Sequence, residues 1–255
     1  MLNQLRADFY RLSHTMGIYL TLLVTIIYSA IITGKELIGG IIVSDYSMRE
    51  LNSIKVWSLK DGINASTLSS SLLVYIFIGI FVMTIGYEFS QKTYKNTLVS
   101  GITRTQFIVS KYLIMLINIF AFSLIYFFTS IVTGMTLSRS VGTSWSSLLT
   151  MIFKTSLVIA FFISVIFELA ILVLLLTSSI VTGSVFIVAF PILVATLHNI
   201  ADWSWLKYFD FFSVALKISL KLIPNNQLWN YISISLVVVL ITMVLSVVVI
   251  RNKEM

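Results

Sequence analysis

The chain has 255 residues, of which 58% are hydrophobic and 11% charged, with mean hydropathy +1.00 and formal net charge +7. A soluble domain carries roughly 25% charged residues, so a water-covered globule is excluded and the composition is that of an integral membrane protein. The absence of cysteine rules out disulfides, thiol catalysis and thiolate metal sites, and the excess of bases is read as loops held against anionic headgroups, with no nucleic-acid partner.

In chain order, Leu2, Leu5, Phe9 and Leu12 recur at spacings of 3, 4 and 3, opposite Asn3, Gln4, Arg6 and Arg11. This pattern predicts an interfacial amphipathic helix leading into the first span. Six stretches reach the ~20 apolar residues that a crossing needs: Met16–Gly34, Leu68–Tyr87, Tyr112–Leu137, Thr155–Thr177, Ser184–Ile200 and Tyr231–Ile250. The first is expected to be an uncleaved anchor, since its charged lead is long and no small-residue cleavage site follows cleanly. The fifth contains Pro191, which predicts a kink absorbed by neighbouring helices. The loop from Lys35 to Thr67 balances four bases against four acids and is expected to fold on the surface. Before the sixth span, Leu206, Phe209, Leu216 and Leu220 alternate with Lys207, Asp210, Lys217 and Lys221, which predicts helices at the outer leaflet. Trp203, Trp205 and Tyr208 suit the headgroup belt there. With the N-terminus inside, eight bases fall in about 50 inner residues against nine in about 80 outer ones, so the positive-inside rule favours cytoplasmic N- and C-termini. The fold class expected is an all-α, six-span protein forming one membrane domain over residues 1–255.

Between the second and third spans lies a charged insert, "YEFSQKTYKNTLVSGITRTQFIVSKYL", Tyr87–Leu113. Its first helix is predicted from about Phe89 to Ser100, with Gly101 as left-handed terminator. Thr103 and Gln106 form a capping-box pair, and Ile102 and Phe107 stand at hydrophobic-staple positions, so a second helix begins there. Tyr94, Leu98 and Ile102 recur every four residues, and such a ridge calls for a partner, either the membrane surface or another protein.

Glu88 closing the second span, then "TYKNTLVSG", Arg104 and Lys111 entering the third, is similar to the permease subunits of ATP-binding-cassette (ABC) exporters of the type-two class. The resemblance extends to the layout of the whole chain. It implies a coupling helix that docks on a cytoplasmic ABC ATPase, with Glu88, Tyr94, Lys95, Leu98, Gly101 and Arg104 as coupling residues. The turn Thr177–Gly183 ("TSSIVTG") would be a second contact, carried by Thr177, Ser178, Ser179, Thr182 and Gly183. It further implies a homodimer, or a heterodimer with a similar chain, in the plasma membrane, with ATP and Mg on the partner ATPase. Compact permeases of this layout resemble exporters of phenol-soluble-modulin-type peptides and lantibiotics, so an amphipathic peptide is the favoured cargo. Independently of the resemblance, the chain has no G-x-x-x-x-G-K-[ST] loop and so no phosphate cradle of the P-loop kind.

Glu168 sits in the fourth span with Phe161, Ser164, Ile171 and Leu172 on or near its helical face. A carboxylate at bilayer depth costs several kcal/mol. It is either a substrate contact or gate, or a neutral carboxyl satisfied by a neighbouring hydroxyl or carbonyl. His14 and His198 fall on opposite sides without companion ligands, so no metal site is expected. Asn64-Ala65-Ser66 matches the glycosylation sequon, a frequent chance pattern. No nucleophile–base pair or carboxylate cluster suggests an enzyme. The competing reading is an ATP-independent protein: a secondary transporter, expected to show several polar midplane residues and repeated broken helices, or a membrane scaffold.

Overall fold

The computed structural model describes residues 2–39, 56–201, 203 and 205–253. The described elements are helices, with no strand among the described residues. Six of them are long and apolar enough to cross a membrane, so the protein is an all-α membrane protein. We number them α1 (Leu2–Ser13), α2 (Met16–Gly34), α3 (Leu59–Ser90), α4 (Tyr94–Val99), α5 (Arg104–Thr136), α6 (Trp145–Thr177), α7 (Ile180–Ala201), α8 (Phe211–Ser219) and α9 (Asn225–Lys253). An even number of crossings puts α1, α4, the α6–α7 turn and the end of α9 on one face, termed the terminal face. The α2–α3 and α5–α6 connections and α8 belong to the opposite, loop face.

Several helices are longer than their apolar runs. α3 starts at Leu59 instead of Leu68 because Ser58 and Asp61 form a capping box, with Asp61 N–H donating to Ser58 Oγ at 3.3 Å and Ser58 N–H to Asp61 Oδ2 at 3.0 Å. Residues 59–67, expected in a surface loop, are therefore helical, and Ala65 and Ser66 of the sequon are fully buried. The rest of that expected loop, residues 40–55, lies outside the described residues. α6 begins ten residues before the predicted Thr155, its first turn capped by Ser144 Oγ accepting from Ser147 N–H at 3.3 Å. α7 continues through Pro191 to Ala201.

α3 is not a uniform α-helix. It passes through a 3-10 turn at Ser70–Leu72 and a π turn at Val82–Gly86. Such interruptions leave carbonyls available to side chains from outside the helix.

The core lies between α3, α5 and α6, whose most apolar windows are 67%, 50% and 67% buried, against 33%, 22% and 22% for α2, α7 and α9. Phe77, Phe81, Phe107, Tyr126, Phe127 and Phe167 fill it. α8 departs from the expectation of a helix resting on the leaflet. Phe211, Phe212, Val214, Ala215 and Leu216 are buried and the helix packs along α6. Asp210, expected on its polar face, is its N-cap, accepting from Ser213 N–H at 3.2 Å.

Candidate functional site

The terminal face carries the charged insert. α3 ends at Ser90, and a turn with Lys92 in the left-handed region (φ 57°) leads into α4, shorter than the predicted Phe89–Ser100 helix. Gly101 follows with φ 92° and open space where a Cβ would point, so conformation and not crowding calls for glycine there. The second helix starts where the pattern predicts. Gln106 N–H donates to Thr103 Oγ1 at 3.2 Å, and Thr103 N–H to Gln106 Oε1 at 3.4 Å.

The apolar ridge of the insert turns inward. Tyr94 stacks on Phe89 (ring centroids 4.3 Å apart, planes 10° apart), and Phe89 contacts Phe107 at 6.3 Å. Leu98 and Ile102 are half-buried against the same core. The partner that this ridge called for is therefore the chain itself. What faces outward is the other side of the insert, Lys92, Lys95, Asn96 and Val99, the last 88% exposed. Arg104 is exposed in the first turn of α5.

Beneath the insert lies a buried ion cluster. Lys111, fully buried, donates to Glu88 Oε1 at 2.6 Å and to Asp8 Oδ1 at 2.7 Å. The Arg11 guanidinium also donates to Glu88 Oε1, and its Nη2 reaches the Thr84 carbonyl at 2.9 Å inside the π turn. Gln4 Nε2 donates to Asp8 Oδ2 at 3.3 Å. Two acids and two bases thus join α1, the foot of α3 and the base of α5, with formal charges that cancel. Glu88 is a member of this cluster and not of the exposed surface. Glu88 Oε2 has no partner among the described residues.

Sequence reasoning passed over Asp8 and treated Arg11 as part of a solvated face. The usable signal was that Asp8 falls three residues after Leu5 and four before Leu12, on the apolar stripe of α1. An acid on that stripe demands a base from elsewhere.

The second turn is also on the terminal face. Ser178 ends α6 in the left-handed region (φ 55°), and Lys253 Nζ at the end of α9 donates to Ser178 Oγ and, at 3.4 Å, to the Leu176 carbonyl. Ser179 Oγ accepts from Thr182 N–H at 3.3 Å, and Thr177 Oγ1 from Ser179 N–H at 3.4 Å. Thr177, Ser178 and Thr182 are exposed. Gly183 is buried instead, and a Cβ on it would lie 3.0 Å from Phe81 Cζ, so its role is close packing of α7 on α3. Ile180 lies against Gly86 of the π turn.

Glu168 stands apart from the ion cluster. It lies nine positions from the helix end at Thr177, about 14 Å at the helical rise, as in the predicted span, because the early start of α6 adds residues only toward the loop face. Its side chain is fully buried and neither carboxyl oxygen has a hydrogen-bond partner among the described residues. Ser164, one turn away, is within 3.0 Å of the Tyr112 hydroxyl, but neither group bonds Glu168. The satisfied-carboxyl alternative is thus not what the structure contains. Among the described residues no group of three or more His, Asp or Glu side chains could hold a metal.

A family model described as "Protein of unknown function (DUF2705)" matches residues 21–255. The chain belongs to that family. No curated protein and no solved structure matches it. The match begins within α2 and leaves α1 outside, although α1 supplies two of the four charges of the cluster.

Proposed function

We propose that the chain is the permease subunit of an ATP-driven ABC exporter of the type-two class, working as a homodimer or beside a similar chain. ATP and Mg are bound by a separate ATPase. In this reading the terminal face is cytoplasmic and the membrane is the plasma membrane. The observation that carries it is α4: a short helix that buries its aromatic side in its own chain and presents Lys92, Lys95, Asn96 and Val99 outward. An almost fully exposed valine one helical turn after Lys95 suits a shallow protein groove with acidic edges. Displacement of α4 would pass through the Tyr94–Phe89 stack to Glu88, and from there through Lys111 and Arg11 to α5 and α1, because close-packed and ion-paired elements move together. Thr177, Ser178 and Thr182 offer the second contact. The apolar, sparsely charged spans suit a hydrophobic or amphipathic cargo, for which a toxin or antimicrobial peptide is favoured. Glu168 is assigned as a substrate contact or gate.

The test is gentle detergent purification from the native host with mass spectrometry of what accompanies the chain. The expected result is a roughly stoichiometric ABC ATPase, lost in the Lys95→Glu/Val99→Asp variant while the permease itself remains monodisperse. Both positions are exposed, so the variant spares the buried ridge that Leu98 belongs to. Recovery of the chain alone in several detergents, or unchanged association of the variant, would remove the assignment.

One observation favours a second reading. Glu168, buried without a hydrogen-bond partner among the described residues, is the kind of intramembrane acid on which an ion-coupled carrier relies. Glu168→Gln is expected to leave assembly intact and to alter transport or substrate-stimulated ATP hydrolysis. Transport that follows an ion gradient without ATP, and fails in Glu168→Gln, would select the carrier.

A further inference from the structure

α5, α6, α8 and α9 enclose a groove of about 480 Å³ whose walls are wholly apolar, formed chiefly by Leu116, Phe120, Leu157, Phe161, Ile218 and Ile232. The volume falls within the range of sites that hold one small molecule or chain, and nothing in the walls can hydrogen-bond a polar guest. The rim is different. Lys154 lies three and four residues before Leu157 and Val158, so it stands on the same face of α6, one turn closer to the loop face. Lys217 adjoins Ile218 in the chain. Lys221, left-handed at φ 57°, donates its backbone N–H to the Ile218 carbonyl at 3.0 Å. All three lysines are exposed.

The described acids of the loop face are engaged elsewhere: Glu36 pairs with Arg139 at 2.8 Å, and Asp61 and Asp210 cap α3 and α8. Three exposed bases therefore stand within one helical turn, in sequence, of wall residues of an apolar slot, with no described acid to pair with them. A second groove of about 410 Å³, along α9 beside Phe209, includes Ser233 and Thr242 in its walls, and the nearby Lys207 ammonium sits over the Tyr208 ring at 5.1 Å. The first groove is thus the one whose walls and rim call for different chemistry at the two ends of a single guest.

We infer that this groove is a site for one acyl chain of an anionic phospholipid from the leaflet on the loop face, with Lys154, Lys217 and Lys221 holding its phosphate. An acyl chain matches the dry walls through dispersion contacts. Lysines at a membrane interface extend their ammonium groups toward headgroups and favour anionic ones. The site stands whether or not the chain is a permease.

The experiment uses the full chain in nanodiscs made of equal phosphatidylglycerol and phosphatidylcholine with identical acyl chains, followed by native mass spectrometry of the lipid retained after mild release. The parent is expected to retain phosphatidylglycerol over phosphatidylcholine by roughly tenfold. The Lys154→Gln/Lys217→Gln/Lys221→Gln variant, altered only at exposed positions, is expected to bring the ratio close to one with total retained lipid unchanged. Val158→Trp, which fills the groove, is expected to lose the retained lipid of both kinds. A ratio close to one in the parent, or an unchanged ratio in the glutamine variant, would overturn the site. So would a disulfide-linked dimer of Leu157→Cys, the single cysteine in that variant, because it would assign the groove to a second copy of the chain.

Discussion

The two faces of the bundle join neighbouring helices by opposite means. At the terminal face, α1, α3 and α5 are tied by four formal charges around Lys111. At the loop face, apart from the Glu36–Arg139 pair just past the ends of α2 and α5, the helices α2, α3 and α5 are tied by neutral hydroxyls. Thr33 Oγ1 donates to Ser130 Oγ at 2.8 Å, Ser66 Oγ lies 3.1 Å from the same oxygen, Ser29 donates to the Tyr126 carbonyl at 2.6 Å, and the Tyr126 hydroxyl to the Ser66 carbonyl at 2.9 Å. Small side chains let these helices approach closely and bond without any charge being taken out of water. The ionic arrangement adds little net stability as a whole, because desolvation offsets the attraction between the charges. What it adds is intolerance: each member depends on the others, so α1, α3 and α5 keep one relative position. On the proposed permease reading, that property suits a face that would pass on movement of α4. The hydroxyl seam can lose a member and still close.

The largest effect expected from this contrast is Lys111→Met. Removing the shared base leaves Asp8 and Glu88 buried with only Arg11 between them, a loss of about 3–5 kcal/mol for a broken buried pair. Thermal unfolding of the purified chain in a fixed detergent should show a large fall in midpoint, or no folded protein. Adding Asp8→Leu and Glu88→Leu with Arg11→Leu, which removes every charge together, should recover most of the midpoint, since an apolar replacement of a complete cluster is close to neutral. Failure of that quadruple variant to recover would mean that the charges hold a conformation that packing alone does not specify.

How far each face was legible differs for the same physical reason. The spans were legible because ~20 apolar residues in a row have few alternatives to crossing, and the start of α5 because a capping box is a local device read within four residues. Glu88 and Lys111 were visible as charges at the ends of spans. Their joint partners were not: Asp8 lies 103 residues from Lys111 in the chain, and no local pattern encodes a meeting at that separation. The direction of the Tyr94, Leu98 and Ile102 ridge was likewise hidden. Periodicity fixes which residues share a face, but the short α4 can turn that face toward its own chain or away from it, and only the Phe89 and Phe107 rings decide. The early starts of α3 and α6 were missed because hydropathy registers the bilayer, whereas Ser58, Asp61 and Ser144 cap helices that extend past it.

The intermediate effect tests the hydroxyl seam. Ser130→Ala removes the oxygen shared by Thr33 and Ser66, leaving two buried hydroxyls to find other carbonyls on their own helices. A loss of about 1–2 kcal/mol is expected, measured by the same unfolding midpoint, with the folded state retained. A fall as large as that of Lys111→Met would erase the distinction between the two faces.

The smallest effect isolates burial from charge. Lys253 is also a base on the terminal face and bridges α9 to the α6–α7 turn through Ser178 and the Leu176 carbonyl, but it is exposed and its acceptors are neutral. Water replaces those bonds at little cost, so Lys253→Ala should leave the unfolding midpoint almost unchanged. If the α6–α7 turn is the second ATPase contact, the same variant should still weaken ATPase association, because it frees a turn whose left-handed residue, Ser178, is held by Lys253 of α9. An unchanged midpoint with weakened association would separate a positioning role from a stabilising one. A lowered midpoint would show instead that charge at this face matters even where water reaches it, and the contrast with Lys111 would have to rest on something other than burial.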